Sequence, residues 1–382
     1  MICVNIVVMQ IKRLLNIKNA TEKKSCFLFG PRQTGKTSLI EQQFANHKVI
    51  DLLMSENFRK YSARPERLRE EVTGEEELII IDEIQRLPEL LNEVHYLIEK
   101  KKINFLLTGS SAKKLRKQGI NLLGGRARSK ILHPFTRLEL ANEFDLKKVL
   151  TIGLIPSIYF SDSPWEDLDA YVGDYLKTEI AAEGATRNIP AFSRFLEVAA
   201  LCNGQMINYS QIASDSEVKI STLRNYFEIL KETLIAYELE AWQKSKTRKA
   251  IQTSKFYFFD LGLAHFLQNR RVVGSGTPEY GQAFEAYLFH ELITKIDYTG
   301  TGTIHYWRST SGFEVDFILN EQMAIEVKAK KTIHTHDLKG LKALQEEKKL
   351  KRYICVCFEK EKRVIEGIEV TPFEVFAEEF LT

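Results

Sequence analysis

At 382 residues the chain is too long for one ordinary core, so two or three domains are expected. Lys plus Arg (54) and Asp plus Glu (51) nearly cancel, leaving a net charge of +3, which excludes the global basic field of a protein that coats nucleic acid and leaves only local patches for such contacts. Five scattered cysteines, Cys3, Cys26, Cys202, Cys355 and Cys357, form no C-x-x-C pair, and no run supplies the ~20 apolar residues of a membrane span; a reduced, cytoplasmic protein without structural zinc or membrane contact is the expectation.

Met1 to Val8 is apolar without a basic flank and reads as an edge strand or an upstream extension before Met9. The first informative stretch is Cys26 to Thr37, an apolar strand that runs into Gly30-Pro31-Arg32-Gln33-Thr34-Gly35-Lys36-Thr37, a complete G-x-x-x-x-G-K-T loop, with Ser38 to Phe44 continuing as a helix. Gly30 and Gly35 let the backbone curl so that its amides face phosphate oxygens, and the helix start adds its positive end. The run Gly30 to Ser38 is therefore expected to bind ATP, with Lys36 on the β/γ-phosphates and the Thr37 hydroxyl on Mg²⁺.

Lys48 to Leu53 reads as a strand, and Glu56 to Val72 as a charged helix interrupted near Pro65. Leu78-Ile79-Ile80-Ile81 is the continuous apolar run of a strand buried on both faces of a parallel sheet, and it ends in Asp82-Glu83. Asp82 is placed to join the Mg²⁺ shell, and Glu83 to orient or deprotonate the attacking water. Pro88 to Lys100 reads as a helix and Ile103 to Leu107 as a strand capped by Thr108-Gly109-Ser110-Ser111. Ser110, with Thr108 close behind, is the candidate γ-phosphate sensor; the same cluster equally fits an N-cap for a helix from Ala112 to Lys117. Arg126, after Gly124-Gly125, fits an arginine finger in cis or, within a homo-oligomer, in trans, or a solvated basic turn. Ser129 to Leu132 closes the sheet.

These motifs, together with Ile81-Asp82-Glu83-Ile84-Gln85 and Pro134-Phe135-Thr136-Arg137-Leu138-Glu139, resemble the prokaryotic AAA-like ATPases that carry a C-terminal domain of unknown function. The resemblance spans nearly the whole chain. It implies an α/β architecture with a five-stranded AAA-type P-loop core, a helical and winged-helix middle, and a restriction-endonuclease-like end. The expected boundaries are 1–149, 150–272 and 273–382.

In the middle, Trp165 to Ala182 and Pro190 to Cys202 read as amphipathic helices, with the character of a lid over the nucleotide. Tyr209 to Ala213 and Ile220 to Leu230 look like a helix-turn-helix, with Ser221 as the second cap. Leu234 to Trp242, the basic tract Lys244, Lys246, Arg248, Lys249 and the strand Lys255 to Phe259 suit a winged hairpin. Such a module holds DNA with its second helix in the major groove and its wing on phosphates; the same pattern also fits a winged helix that only packs between domains.

Arg270 to Pro278 reads as a linker, Tyr280 to Ile296 as a helix carrying Glu285, and Thr303 to Arg308, Phe313 to Leu319 and Ala324 to Lys330 as strands. If Asn320-Glu321-Gln322 is a three-residue hairpin loop, Asp316 falls opposite Glu326 with Cβ atoms ~5 Å apart, close enough to share a metal ion. Glu314, Asp316 and Glu326 on one face repel unless a cation joins them; a salt-bridged hairpin with Lys328 and Arg308 is the plainer alternative. The D…E-x-K spacing resembles the PD-(D/E)xK nucleases, although Glu314-Val315 stand where that motif has its proline. The resemblance implies Mg²⁺ or Mn²⁺ held by Asp316 and Glu326, Lys328 stabilising developing charge, and Glu285 matching the acid of the first helix. Cys355 and Cys357 read as strand packing, and His334 and His336 as turn residues. The functional expectation is an ATP-hydrolysing protein acting on DNA with a metal-dependent endonuclease end. The alternative is a nucleotide-gated DNA-binding or signalling switch whose nuclease fold is inactive.

Overall fold

The computed structural model describes residues 11–111, 115, 123–180, 188–245 and 248–381. The edge strand expected in Met1 to Val8, nearly all of the helix expected from Ala112 to Lys117, the end of the helix expected to reach Ala182, and Lys246 of the basic tract lie outside the described residues. Among the described residues the strands form three sheets.

The first sheet holds β1 (Ser25–Phe29), β2 (Lys48–Asp51), β3 (Leu78–Asp82), β4 (Asn104–Gly109) and β5 (Ala127–Ile131) in the order β2-β3-β4-β1-β5, with every pair parallel. Alternation sorts its side chains between two cores. Phe27, Phe29, Ile79, Ile81, Phe105 and Leu107 face one, and Cys26, Leu28, Leu78, Ile80 and Leu106 face the other. This explains why β1 and β3 read as unbroken apolar runs. The helix Lys36–Phe44 follows β1 directly, and Ser55–Ala63 and Arg67–Glu71 are two helices separated at Pro65.

The middle of the chain is helical. Pro164–Ala170 runs on into a π-helical segment at Tyr171–Ile180. Helix Ile189–Leu201 then leads to β6 (Gln205–Met206), helices Tyr209–Asp215 and Ile220–Glu232, β7 (Ala236–Leu239) and β8 (Lys255–Phe258), with the antiparallel sheet order β6-β8-β7. Helix Ile220–Glu232 buries Leu223, Tyr226, Phe227, Ile229 and Leu230 and exposes Ser221, Arg224, Asn225 and Glu228. The cap differs from the expectation. Lys219 stands at the N-cap with no side-chain bond, and Ser221 lies inside the first turn.

The third sheet carries β9 (Ile304–Arg308), β10 (Glu314–Leu319), β11 (Met323–Val327), β12 (Arg352–Cys357), β13 (Arg363–Ile365) and β14 (Ile368–Pro372) in the order β13-β14-β12-β11-β10-β9. The long helix Pro278–Thr299 opens on Pro278, with Thr277 accepting from the Tyr280 amide at 3.2 Å, and packs on this sheet through Phe284, Tyr287, Leu288 and Phe289. Its core is continuous with the middle of the chain, because Leu239, Ala241 and Tyr257 share one apolar cluster with Phe284, Phe317 and Ile325.

The segment after β7 runs along the outer edge of this sheet. Trp242 donates its amide to Tyr306 (2.7 Å), Tyr306 to Glu240 (3.1 Å), Ile251 to Arg308 (2.8 Å) and Thr310 to Lys249 (2.9 Å). The edge strand β9 is thereby covered by backbone from the preceding unit. Lys244 pairs with Glu321, and Arg248 reaches Glu346 at 2.6 Å and the Ala343 carbonyl at 2.9 Å. Two of the cations expected on DNA phosphates are thus engaged by C-terminal acids, and the hairpin packs between units.

Candidate nucleotide site and C-terminal carboxylate cluster

The phosphate-binding loop has the geometry its glycines require. Gly35 sits at φ 90°, and a Cβ on Gly30 would lie 2.5 Å from the Leu132 carbonyl oxygen. Thr34 closes the turn by donating to the Pro31 carbonyl at 2.9 Å. Lys36 Nζ donates to the carbonyls of Gly30 (2.8 Å) and Pro31 (3.0 Å). Burial pushes this ammonium below its ordinary pKa, opposed by the charges of Glu83 and Asp82.

Parallel pairing of β1, β4 and β3 brings the strand ends together. Thr37 Oγ1 donates to Asp82 Oδ2 at 3.3 Å, and Thr108 Oγ1 donates to Asp82 Oδ1. Glu83 follows in the left-handed region at φ 58°, its amide shared between Asp82 Oδ1 (3.1 Å) and Thr108 Oγ1 (3.2 Å). A non-glycine residue held there directly after a strand carries strain of the kind that clusters at functional sites. Thr37 and Asp82 offer adjacent hard oxygens, the donor type that Mg²⁺ takes.

Gln85 closes the Ile81-Asp82-Glu83-Ile84-Gln85 run, but no role for it is legible in the sequence. Its Nε2 donates to Glu83 Oε2 and lies 3.3 Å from Ser110 Oγ, so one buried amide links the two residues. Gly109 makes the room, since a Cβ there would stand 2.5 Å from Gln85 Oε1. Arg13 carries no sequence signal either. It is buried, donates to the Thr34 carbonyl behind the loop (2.6 Å), pairs with Glu139 (2.9 Å) and reaches the Tyr298 hydroxyl on the long C-terminal helix (3.3 Å).

The loop's other side meets the middle segment. Ser157 Oγ donates to Gln33 Oε1 at 2.7 Å, the Tyr171 hydroxyl to the Arg32 carbonyl at 3.4 Å, and the Arg32 guanidinium lies 5.5 Å from the centre of the Tyr175 ring. Arg126 is not brought to the loop by any bond described; it pairs with Glu99 on helix Leu90–Lys101.

Residues 22–141 match the family model described as an AAA domain. The N-terminal unit, with its parallel sheet and G-x-x-x-x-G-K-T loop, is similar to an AAA domain over those residues. Residues 143–272 and 280–376 match two models described as domains of unknown function (DUF8612 and DUF4143). An uncharacterized protein of Mycobacterium tuberculosis is 25% identical over 297 residues, 76% of this chain; the chain spans 66% of that relative's length. An uncharacterized protein of Haemophilus influenzae is 22% identical over 380 residues, covering 89% of this chain and 91% of its own. Among solved structures, the Aeropyrum pernix Orc1 protein in complex with DNA is similar at 12% identity and a TM-score of 0.25, over 70% of this chain and 95% of that one.

At the C-terminal end, the hairpin register pairs Leu319 with Met323 across Asn320-Glu321-Gln322, so the three-residue loop is present and Asp316 and Glu326 lie side by side, both buried. Their oxygens are turned to protein donors. Asp316 Oδ2 accepts from the Val327 amide at 2.7 Å, and Glu326 Oε1 accepts from Lys328. Glu285 Oε1 accepts from Lys255 Nζ (2.9 Å) and the Tyr257 hydroxyl (2.7 Å), and Glu314 accepts from Lys255 (2.7 Å) and Arg308 (2.9 Å). Four carboxylates face three cations, Lys255, Lys328 and Arg308.

Burial, with Glu326 and Glu285 adding repulsion, lifts the Asp316 carboxyl well above its ordinary range. Glu326 is raised by burial and held back by Lys328. Among the described residues no group of three or more His, Cys, Asp or Glu side chains is disposed to hold a metal ion. Glu285, Asp316 and Glu326, expected as one ligand set, are neighbours, but Glu285 is committed to Lys255 and Tyr257. The cluster as it stands does not fit a divalent cation. Among the described residues no helix is long and apolar enough to cross a membrane.

Proposed function

We propose that the chain binds and hydrolyses ATP, and that its N-terminal unit works as a nucleotide-driven switch on the units packed against it. The observation that carries the reading is the meeting of Thr37, Asp82, Glu83, Gln85 and Ser110 at the ends of parallel strands beside an intact G-x-x-x-x-G-K-T loop. Lys36 moves from the loop carbonyls to the β/γ-phosphates when nucleotide enters, its charge then met by phosphate rather than by neutral carbonyls. Thr37 and Asp82 would hold a Mg²⁺ that arrives with the nucleotide, and the ion would supply charge neutralisation at the phosphates. Glu83 accepts the proton of the attacking water as its oxygen bonds to the γ-phosphorus and the bond to ADP breaks; the Gln85 amide fixes the carboxylate for that task.

Arg32 and Gln33 in the loop contact Ser157, Tyr171 and Tyr175, which supports the middle segment as the part that senses loop occupancy. A winged-helix reading of the middle is supported by the helix, strand, helix, helix, strand, strand order and the β6-β8-β7 sheet. Action on DNA, if through this module, rests on the outward face of helix Ile220–Glu232, where Lys219, Ser221, Arg224 and Asn225 are exposed, and not on the wing. The nuclease-like reading of the C-terminal unit keeps its inactive form in the conformation described, given the commitments of Glu285 and Asp316.

The test is phosphate release from Mg-ATP by the purified chain, with nucleotide affinity measured beside it. Turnover that Lys36→Ala removes supports the reading. A chain that binds no adenine nucleotide contradicts it.

A further inference from the structure

The C-terminal carboxylates already have a cation, and it comes from another part of the chain. Lys255 lies on β8, in the three-stranded sheet of the middle segment, and its side chain is only 3% exposed. Nζ stands 2.7 Å from Glu314, 2.9 Å from Glu285 and 3.9 Å from Asp316. Tyr257, two residues on and on the same face of β8, donates to the same Glu285 oxygen at 2.7 Å. Strand β8 therefore presents two donors to one carboxylate cluster that lies on β10 and on the long helix of a different unit.

A buried ammonium is costly unless protein oxygens replace the water it has lost, and at Lys255 those oxygens are carboxylates, so the lysine needs them as much as they need it. A divalent ion drawing on Glu285 and Asp316 would stand within a few ångströms of that ammonium, where like charges in a poorly solvated site repel strongly. Both cannot be accommodated. One oxygen has no partner in the present arrangement: Glu326 Oε2 is buried without a hydrogen bond among the described residues, beside Asp316. It is an acceptor that Lys328 and Lys255 both leave unused. The sheet that carries Lys255 is itself held in place, because the segment between β7 and β8 pairs its backbone with β9.

We propose that Lys255 is a tethered cation occupying the C-terminal carboxylate site, so that its insertion and the binding of a divalent metal by Asp316 and Glu326 exclude one another. This goes beyond ATP hydrolysis and does not depend on it. Metal binding then requires Lys255 to withdraw, either by turning its side chain or by separation of β8 from the C-terminal unit.

The experiment titrates Mn²⁺ into the nucleotide-free full chain and follows the loss of the free-ion resonance, with Asp316→Asn as the reference for binding elsewhere. The wild-type chain is expected to match Asp316→Asn. Lys255→Met should gain a site about tenfold tighter or more, lost again when Asp316→Asn is added. Glu314→Gln, which loosens the hold on Lys255, should move affinity in the same direction, whereas a ligand role for Glu314 would move it the other way. An Asp316-dependent Mn²⁺ site in the wild-type chain overturns the proposal, as does a folded Lys255→Met that gains nothing. Should circular dichroism show that Lys255→Met does not fold, Glu314→Gln decides: a gain supports the proposal, and no gain or a loss overturns it.

Discussion

Two clusters of acids and lysines sit at opposite ends of the chain and are built in opposite ways. At the P-loop, Lys36 is held by the loop's own carbonyls, and Asp82 and Glu83 come from the next strand but one in the same sheet. At the C-terminal end, the acids are held by Lys255, which belongs to another sheet. A lysine resting on neutral carbonyls is exchanged for a phosphate contact at modest cost. An ammonium buried among carboxylates is not, since leaving it unpaired exposes the full desolvation penalty. The first arrangement is poised for a ligand, and the second holds its own.

The largest effect that would sharpen this contrast is at Lys36. Lys36→Ala should weaken ATP binding by about a hundredfold or more, because it removes the buried loop ammonium placed to meet the phosphates, and equilibrium binding of a fluorescent nucleotide reads it directly. Gln85→Ala should act on turnover rather than affinity, lowering kcat by roughly tenfold with KM little changed, as expected of a residue that positions Glu83. An unchanged kcat would leave Gln85 as packing under Gly109.

A third test concerns Asp260, which ties the start of the middle segment to its end by accepting from the Leu154 amide (2.6 Å) and from Leu263 (3.1 Å). Burial pushes its carboxyl up to about 6 against the pull of these amides. The folded state therefore binds the proton more tightly than the unfolded chain, so this group favours folding most below its unfolded value of ~4 and the benefit is lost as pH rises through about 6. Relative to wild type, Asp260→Asn should become more favourable by roughly 1–3 kcal/mol between pH ~4 and ~7, read from paired thermal melts. The smallest effect is at the wing. Lys244→Ala and Arg248→Ala should each cost about 1 kcal/mol or less, yet speed exchange of the Tyr306 amide, which bonds Glu240 across the covered edge of β9.

What the sequence discloses follows from distance along the chain. Lys36, Thr37, Asp82 and Glu83 are legible because each sits within a short motif whose strand, turn and helix context is local. The pairing of Asp316 with Glu326 is legible because a three-residue loop fixes hairpin register by counting. Lys255 is not legible as a site residue, since it lies thirty residues before Glu285 in a different sheet, and nothing in the period of β8 marks its neighbours. Arg13 is hidden for the same reason, as its partners Glu139 and Tyr298 become neighbours only when the units pack. The basic tract is ambiguous for a converse reason. Charge alone cannot distinguish a phosphate contact from Glu321 and Glu346 on the next unit.

ATP turnover by the N-terminal unit is proposed to rest on Glu83 acting on water. Its most direct test compares Glu83→Gln with wild type in paired measurements of ATP affinity and single-turnover hydrolysis. Glu83→Gln should keep ATP affinity within a few-fold and lose hydrolysis by about 10²- to 10³-fold, since the amide retains the hydrogen bonds but cannot accept the proton. Hydrolysis at the wild-type rate by Glu83→Gln, or loss of ATP binding in that variant while Lys36→Ala retains it, would contradict the account.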